Sequence, residues 1–278
     1  MAGSNGLIRY FGGKVKIAPW IVAHLPPHRV YVEPFGGGAA VLLAKPRARV
    51  EVYNDLDDGL VNLFRVLRHP TQGEQLLRLV RLTPYARKEF EAAYEPTDDP
   101  VERARRLLVR SHLGHGGEAT NGRRTGFRRA SHRKEARSTH PALDWPRYPA
   151  RLARLIARLA GVVVEHRPAI EVMAYYDAPD TATYLDPPYL VELLQNPYDR
   201  LYNHPLAPLG HEDLAAAASR CAGTVLVSGY HSPLYDRLYA GWQRHERRAV
   251  TTGGGRRTEV LWIKPAGHQI PCSGCSSP

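Results

Sequence analysis

The residues with the clearest chemical meaning are Asp186-Pro187-Pro188-Tyr189, which directly follow an apolar run ending at Leu185. The two prolines lack N–H donors and fix φ, so the Asp186 carboxylate and the Pro187 carbonyl face outward as hydrogen-bond acceptors. Two acceptors match an exocyclic amino group, which has two N–H donors, and the Tyr189 ring offers a face for a planar base. The pattern therefore predicts chemistry on the amino group of a nucleobase. The alternative is a proline-stiffened turn with a solvated aspartate.

A second group of residues is typical of a nucleoside-binding site. Glu33-Pro34-Phe35 leads into Gly36-Gly37-Gly38, where the missing side chains let a ligand lie against the backbone. Asp55 ends the next predicted strand about 20 residues later, the place from which an acid reaches ribose hydroxyls in nucleoside-binding sheets. The glycines alone are often only a turn, but together with Asp55 they indicate a nucleoside-containing cofactor. The sequence contains no G-x-x-x-x-G-K-[ST] phosphate loop, which argues against an ATP- or GTP-cleaving enzyme.

These residues need a sheet to position them, and the apolar pattern predicts one. Strands are predicted at 30–33, 50–53, 162–165, 181–185 and 224–228, and helices at 39–44, 60–67, 151–159 and 213–218. An antiparallel pair is predicted at 242–250 and 259–264, and Asp99-Pro100 is expected to cap a further helix. The alternation indicates a mostly parallel α/β sheet, whose ligands bind at the carboxyl ends of the strands. Glu33, Asp55 and Asp186 all fall at such ends.

The chain carries an excess of basic residues that is concentrated in one stretch. Its 278 residues include 38 Lys and Arg against 27 Asp and Glu, a formal net charge of +11. A basic surface can serve solubility alone, but seven Lys or Arg lie between 123 and 137 beside a single acid, Glu135. Gly126 lies within this stretch, which we call the arginine arm (residues 123–137), and Gly116, Gly117 and Gly122 precede it. We predict a mobile arm that binds a polyanion, the alternative being a solvated loop.

Several classes of protein are excluded by composition. No apolar stretch approaches the roughly 20 residues of a membrane helix, and the N-terminus lacks the features of a signal peptide. Because no stretch is long and apolar enough, we expect no membrane association. Three cysteines cannot form a disulfide framework, so we expect a cytoplasmic location. Cys272 and Cys275 with His268 supply only three of the four ligands that zinc requires, so no metal site is predicted. Residues 267–278 are expected to form a flexible tail.

In their order along the chain, these motifs resemble the bacterial and phage DNA adenine-N6 methyltransferases of the GATC-methylating type. Arg9-Tyr10-Phe11-Gly12-Gly13-Lys14 resembles the family's N-terminal motif, whose aromatic residue and lysine contact S-adenosylmethionine. Glu33-Pro34-Phe35-Gly36-Gly37 resembles its cofactor loop, Asn54-Asp55 the motif whose aspartate holds the ribose, and Asp186-Pro187-Pro188-Tyr189 its catalytic motif. Val227-Ser228-Gly229-Tyr230 and Arg257-Thr258-Glu259-Val260-Leu261-Trp262 resemble later strand motifs. Ala39 departs from the family, because many members have a further glycine there.

The resemblance implies an α/β fold, a Rossmann-like S-adenosylmethionine-dependent methyltransferase sheet with an inserted, mostly helical target recognition domain. It implies a discontinuous catalytic domain of residues 1–60 and 146–266, with the insert at 61–145. Cofactor contacts are expected from Tyr10, Lys14, Glu33, Phe35, Gly37, Asn54, Asp55 and Asp186. Duplex DNA is the expected partner, contacted by Arg123, Arg124, Arg128, Arg129 and Arg133, and no obligate protein partner is expected. The implied reaction is methyl transfer to N6 of an adenine flipped out of the duplex.

Two other functions stay open on the sequence alone. An amino-methylating enzyme of the same fold could act on cytosine N4 or on RNA, although a serine before Pro-Pro-Tyr would have favoured cytosine. A non-enzymatic DNA-binding module is the other, and the intact motifs at Lys14, Asp55 and Asp186 argue against it. Pro271-Cys272 matches the dipeptide that supplies the nucleophile in cytosine-C5 methyltransferases. It lies downstream of every predicted core element, so we set it aside.

Overall fold

A single sheet organises the described part of the chain. The computed structural model describes residues 6–9, 12–115, 122–129, 141–189, 206, 208–250 and 256–266. Within them, seven strands form a sheet in the order β3-β2-β1-β4-β5-β7-β6. The strands are β1 (Val30–Glu33), β2 (Val50–Asn54), β3 (Val163–Glu165), β4 (Thr181–Leu185), β5 (Thr224–Tyr230), β6 (Gln243–Val250) and β7 (Arg256–Lys264).

The pairing of these strands creates the ligand-binding edge. β1 is the middle one of five parallel strands and pairs with both β2 and β4, while β3 and β5 extend the parallel part on either side. β7 is antiparallel to both β5 and β6, and the sequence predicts the pairing with β6. Strand order reverses between β1 and β4, so the carboxyl ends of these strands flank a topological switch point. The predicted Rossmann-like α/β fold is therefore confirmed.

Helices cover both faces of the sheet. They are α1 (Ala18–Val22), α2 (Ala40–Ala44), α3 (Asp58–Arg68), α4 (Pro70–Leu82), α5 (Arg87–Ala92), α6 (Pro100–Leu113), α7 (Pro141–Asp144), α8 (Tyr148–Leu159), α9 (Ala169–Tyr176), α10 (Pro208–Arg220) and α11 (Pro233–Leu238). A short 3₁₀ helix, Trp145–Arg147, precedes α8. No helix in the described part of the chain combines the length and the apolar character that crossing a membrane requires.

Alternate residues of the central strands point to opposite faces and build two large core clusters, beside a third small cluster of Val32, Val52 and Val172. Leu226 of β5 joins Tyr184 of β4 and Tyr31 of β1 in the larger core, which α1, α2, α3, α6 and α8 cover. Val225 and Val227 of β5 join the second core, with side chains from α10 and α11. The functional residues described below lie where the larger core reaches the carboxyl edge of the sheet.

Helices α3 to α6 form most of the predicted insert. Asp99 caps α6 by accepting a hydrogen bond from Val101 N at 2.8 Å, with Pro100 at the first helical position, as predicted. Pro70 ends the predicted helix but also begins α4, because proline fits a first helical position that needs no N–H donor. α3 spans the predicted boundary at residue 60, and its Phe64 ring stacks on Tyr53 of β2 with centroids 3.7 Å apart. The insert and the sheet therefore share a core at this junction.

Candidate active site

A cavity of about 280 Å³ opens at the carboxyl ends of β1, β2 and β4. Its size is close to the lower end of the roughly 300–1,000 Å³ typical of ligand pockets. Its walls come from residues 12–15, from the loop after β1, from residues 55–57 after β2 and from residues 168–170 at the start of α9. Asp186 and Pro188, directly after β4, also line the cavity, as do Ile8, Tyr184, Leu206, Gly210 and Leu214. The cavity lies at the position that the strand-end motifs predict.

Asp186 is held at the rim of this cavity through one of its two oxygens. Ser228 Oγ donates a hydrogen bond to Asp186 Oδ1 at 2.9 Å. Lys14 Nζ lies 2.7 Å from the same oxygen, and the Asp186 side chain keeps 20% exposure. Among the described residues, the hydrogen bond and the ion pair of Asp186 both use Oδ1. Oδ2 is therefore the oxygen available to a donor on a ligand.

Lys14 links the N-terminal motif to the catalytic motif. Its Nζ donates to the Tyr189 hydroxyl at 2.5 Å and to the Gly12 carbonyl at 3.1 Å, and the side chain is almost fully buried. Burial alone would lower the pKa of Lys14, but Asp186 and Glu259 outweigh it and raise this pKa above its usual value. Lys14 therefore remains an ammonium group that can donate hydrogen bonds but cannot act as a base.

Tyr189 lies between the ammonium group and a second aromatic ring. Its ring stacks on Tyr230, at the end of β5, with centroids 4.5 Å apart and planes inclined by 22°. The Lys14 Nζ is 2.5 Å from the Tyr189 hydroxyl but 4.8 Å from the ring centroid, so the ammonium lies beyond the hydroxyl end of the ring. The structure thus brings Asp186, Lys14 and Tyr189 together, as the motifs predict.

Glu33 occupies the floor of the cavity. Its Oε2 accepts hydrogen bonds from the Tyr31 hydroxyl and from Leu42 N, both at 2.9 Å. Burial raises the pKa of Glu33 to about 8, although both hydrogen bonds act in the opposite direction. A carboxyl group with this pKa is mostly protonated at neutral pH in the ligand-free protein.

Asp55 fastens the glycine loop to the end of β2. Gly37 N donates to Asp55 Oδ2 at 2.8 Å, and Asp57 N donates to Oδ1 at 2.9 Å. Burial raises the pKa of Asp55, against the effect of these backbone donors. Gly36 is fixed by packing, because a Cβ there would lie 2.1 Å from the Tyr53 ring. The loop therefore keeps its backbone open to the cavity.

Ala39, the departure from the family pattern, adopts a conformation that favours glycine. Its φ is 52° and its ψ is 38°, in the left-handed region, and it is the one non-glycine residue with positive φ among those described. The residue is fully buried at the start of α2, and its N–H donates to Gly36 O at 2.7 Å. A side chain in this region costs roughly 1–2 kcal/mol. The missing glycine therefore leaves strain in the cofactor loop.

Of the expected cofactor residues, Lys14, Glu33, Phe35, Gly37, Asp55 and Asp186 all line this cavity. Asn54 does not line the cavity. Its Nδ2 donates to Pro34 O at 2.8 Å and to Arg167 O at 3.0 Å, while its Oδ1 accepts from Arg167 N at 2.9 Å. Asn54 instead ties together the segments that follow β1 and β3. Tyr10 lies outside the described residues.

The sequence predicts no role in the site for several of its residues, although Ser228 belongs to the strand motif Val227-Ser228-Gly229-Tyr230. Leu56 and Ile170 line the cavity with side chains that are 40% and 38% exposed, as expected for an apolar ligand surface. Leu56 follows Asp55 directly and could have been found, whereas Ile170 begins a helix that the sequence pattern does not predict. Tyr184 and Ser228 support Asp186 from β4 and β5. Tyr184 and Ser228 are far apart in the sequence, so their contact with each other and with Asp186 can be predicted only once the pairing of β4 with β5 is known.

The described part of the arginine arm is packed at its base. Gly114 and Phe127 form an antiparallel bridge, and His115 N donates to Gly126 O at 3.0 Å. The Phe127 ring contacts Tyr85, and the Tyr85 hydroxyl donates to the Arg128 carbonyl. The prediction for this stretch is based on its charged residues, whereas the aromatic side chain of Phe127 supplies the packing. Arg123 and Arg128 are half-buried, Arg124 and Arg129 are exposed, and Arg133 lies outside the described residues.

Arg128 belongs to a group of three half-buried guanidinium groups on the insert side, with Arg9 and Arg151. They surround His112, whose pKa is lowered to about 3 by burial and by these positive charges. Burial and the nearby Arg128 also lower the pKa of Arg9. Within the described chain, Arg9 Nη1 is buried without a hydrogen-bond partner. A buried guanidinium nitrogen without a hydrogen-bond partner favours an anion as its partner.

The strand order, the switch point and the glycine loop form a Rossmann-like sheet with a ligand cavity at its carboxyl edge. The family model of the D12 class N6 adenine-specific DNA methyltransferases matches residues 10–252, and the chain belongs to this family. No curated protein matches the chain. The enzyme therefore transfers a methyl group from S-adenosylmethionine to N6 of adenine in DNA. The alternatives of a cytosine-N4 or RNA enzyme and of a non-catalytic module are not supported.

The lining of the cavity fits this cofactor. Asp55, Asp57 and Asp186 supply acidic side chains, whereas Lys14 is the basic residue among the described lining side chains. S-adenosylmethionine carries a positive sulfonium and a positive ammonium group, so an acidic cavity is electrostatically complementary to it. The apolar Leu56 and Ile170 side chains suit its adenine ring.

Proposed function

We propose that Asp186 Oδ2 and the Pro187 carbonyl accept the two N6–H bonds of an adenine that has been flipped out of duplex DNA. The observation that carries this proposal is the one-sided anchoring of Asp186. Lys14 and Ser228 hold Oδ1, and the same carboxylate lies at the rim of the cofactor cavity. N6 is inaccessible to such a pocket inside the duplex, and flipping costs a few kcal/mol.

The proposed acceptors would activate a nitrogen that is otherwise a poor nucleophile. The N6 lone pair is delocalised into the ring, and two hydrogen bonds to fixed acceptors favour a tetrahedral nitrogen whose lone pair can attack. Bound S-adenosylmethionine supplies an electrophilic methyl group on a sulfonium sulfur. Asp186 would stabilise the positive charge that N6 gains and would accept the proton that N6 then loses. Catalysis rests on preorganised electrostatics and positioning.

The remaining site residues are proposed to bind the two substrates. Asp55 retains lone pairs for a ribose hydroxyl beyond its bonds to Gly37 N and Asp57 N. Leu56 and Ile170 would enclose the cofactor's adenine, and Glu33 and Phe35 would contact its methionine end. Tyr189, held by Lys14 and stacked on Tyr230, would support the flipped base. We further propose that Pro188 and Pro187 act by fixing the backbone between Asp186 and Tyr189.

The insert at 61–145 is proposed as the target recognition domain. Arg123, Arg124, Arg128, Arg129 and Arg133 would contact DNA, and the half-buried group of Arg9, Arg128 and Arg151 suits a phosphate or a guanine edge. A cytoplasmic location with no obligate protein partner also remains a proposal.

The test of the catalytic assignment is the pair Asp186→Ala and Asp186→Asn. Both variants should lose at least about 10²–10³-fold in single-turnover methylation of duplex DNA, because the fixed acceptor for N6–H is lost. Radiolabel from S-adenosylmethionine, followed by base analysis, measures the rate and identifies the methylated base. Glu74→Gln, at an exposed position on α4, is the matched control. Turnover close to wild type in a folded Asp186→Ala enzyme would show that the assignment is wrong.

A further inference from the structure

We infer that Ser228 and Tyr184 form a hydrogen-bond relay that orients the Asp186 carboxylate toward the target amino group. This inference rests on the proposed role of Asp186 and extends it to two residues that no motif assigns to the reaction. Tyr184 lies on β4 and Ser228 on β5, which pair in parallel with Tyr184 opposite Leu226. Both side chains are 1% exposed. The two strands therefore bring a pair of hydroxyl groups beneath the carboxylate.

The directions of the hydrogen bonds in the relay are fixed by chemistry. The Tyr184 hydroxyl lies 2.8 Å from Ser228 Oγ, which lies 2.9 Å from Asp186 Oδ1. A carboxylate can only accept, so Ser228 must donate its single hydroxyl proton to Asp186. Tyr184 must then donate to Ser228. The alternative acceptor for Ser228, the Leu185 carbonyl at 3.4 Å, is neutral and more distant, so the charge-assisted bond to Asp186 is favoured.

The ionisation of Tyr184 supports this order. Burial and the nearby Asp186 carboxylate raise the pKa of Tyr184 well above its usual value, so its hydroxyl keeps its proton. Lys14 is the other donor to Oδ1, but it belongs to the glycine-rich N-terminal motif rather than to the sheet. Ser228 is thus the donor that ties the carboxylate to a central strand. Without it, the broad terminal torsion of Asp186 would let the carboxylate rotate about its contact with Lys14.

The relay should affect the chemical step more than binding. Ser228→Ala removes a hydrogen bond to a charged group and should lower the single-turnover rate about 10- to 100-fold, with KM for DNA unchanged. Tyr184→Phe leaves the Ser228 hydroxyl in place but lets its proton turn toward Leu185, so a drop of about 2- to 10-fold is expected. Ser228→Thr retains the hydroxyl and should retain most of the activity.

A double-variant cycle distinguishes a relay from a purely structural pair. Because the Tyr184 hydroxyl makes its hydrogen bond to Ser228 and not to Asp186, the Ser228→Ala/Tyr184→Phe enzyme should be no slower than Ser228→Ala alone. Thr181→Val on β4 and Tyr235→Phe on α11 remove buried hydroxyl groups elsewhere and serve as matched controls with unchanged rates. Thermal unfolding of each variant verifies the fold.

Three results would overturn the inference. The first is a wild-type single-turnover rate in folded Ser228→Ala. The second is a double variant whose loss of rate is the product of the losses in Ser228→Ala and Tyr184→Phe. The third is a change in KM in these variants without a change in the single-turnover rate. Should Ser228→Ala not fold, an unchanged rate in Tyr184→Phe would overturn it in the same way. Failure of the relay is distinguishable from failure of the proposed function. In the first case Asp186→Ala is inactive while Ser228→Ala is not, and in the second case Asp186→Ala itself retains activity.

Discussion

Replacing Glu33 with Gln should make the stability of the ligand-free protein less dependent on pH. Glu33 is 2% exposed, and burial raises its pKa to about 8. In the unfolded chain its pKa returns to the ordinary value near 4.5. Between these two values the folded protein holds a proton that the unfolded chain does not. Gln keeps the shape of the protonated acid and an oxygen to accept from Tyr31 and Leu42, but it has no proton to lose.

The sign and the size of the effect follow from proton linkage. Because the folded state binds the extra proton, the contribution of Glu33 to the free energy of unfolding falls as pH rises through the window, by about 1.36 kcal/mol per pH unit. From pH 6.5 to 9, a group with a pKa of about 8 should contribute a loss of roughly 2 kcal/mol. His112 and His211, whose pKa values are lowered to about 3 and about 4, weaken the fold only as pH falls below 6.5. The chosen window therefore excludes them.

Urea unfolding without cofactor, at several pH values in this window, measures the difference. The free energy of unfolding of Glu33→Gln minus that of the wild type should increase by roughly 2 kcal/mol from pH 6.5 to 9. The exposed Glu74→Gln serves as the control, and its curve should run parallel to that of the wild type. If the Glu33→Gln curve also runs parallel to the wild-type curve, Glu33 is not protonated in the folded protein and the reasoning fails.

Two further predictions concern the strained loop and the arginine arm. Ala39→Gly should raise the free energy of unfolding in urea by roughly 1 kcal/mol, because Ala39 has a φ of 52°, and an unchanged or lower value would contradict the strain. Arg128→Ala/Arg129→Ala should weaken binding to cognate and scrambled duplexes alike and should flatten the salt dependence by about 0.9 for each phosphate that is no longer neutralised. Arg220→Ala, at an exposed position on α10, is the control. If the salt dependence of DNA binding is unchanged in the double variant, Arg128 and Arg129 do not neutralise phosphates and the prediction is wrong.

The sequence predicts the strands of the sheet better than the helices around it. β1 and β4 have the predicted bounds, because buried parallel strands are short apolar runs with abrupt polar ends. α4 is missed because Pro70 both ends one helix and begins the next. α9 is missed for two reasons. The residue before it, Pro168, supplies no side-chain cap, and the residues of α9 are apolar on most faces of the helix. Propensity and capping signals are weak here, and packing against the sheet stabilises these helices.

Motifs identify acids at strand ends, but they do not show what each acid contacts. Asn54 and Asp55 are adjacent in one motif, yet Asn54 turns inward to two backbone segments while Asp55 holds Gly37 and lines the cavity. Successive residues of a strand point to opposite sides, so neighbours in a motif have different roles. The register between neighbouring strands also determines which side chains meet, and the sequence motifs do not specify this register. Because β4 pairs with β5 as it does, Ser228 reaches Asp186 Oδ1, and this contact determines which oxygen is left for the substrate.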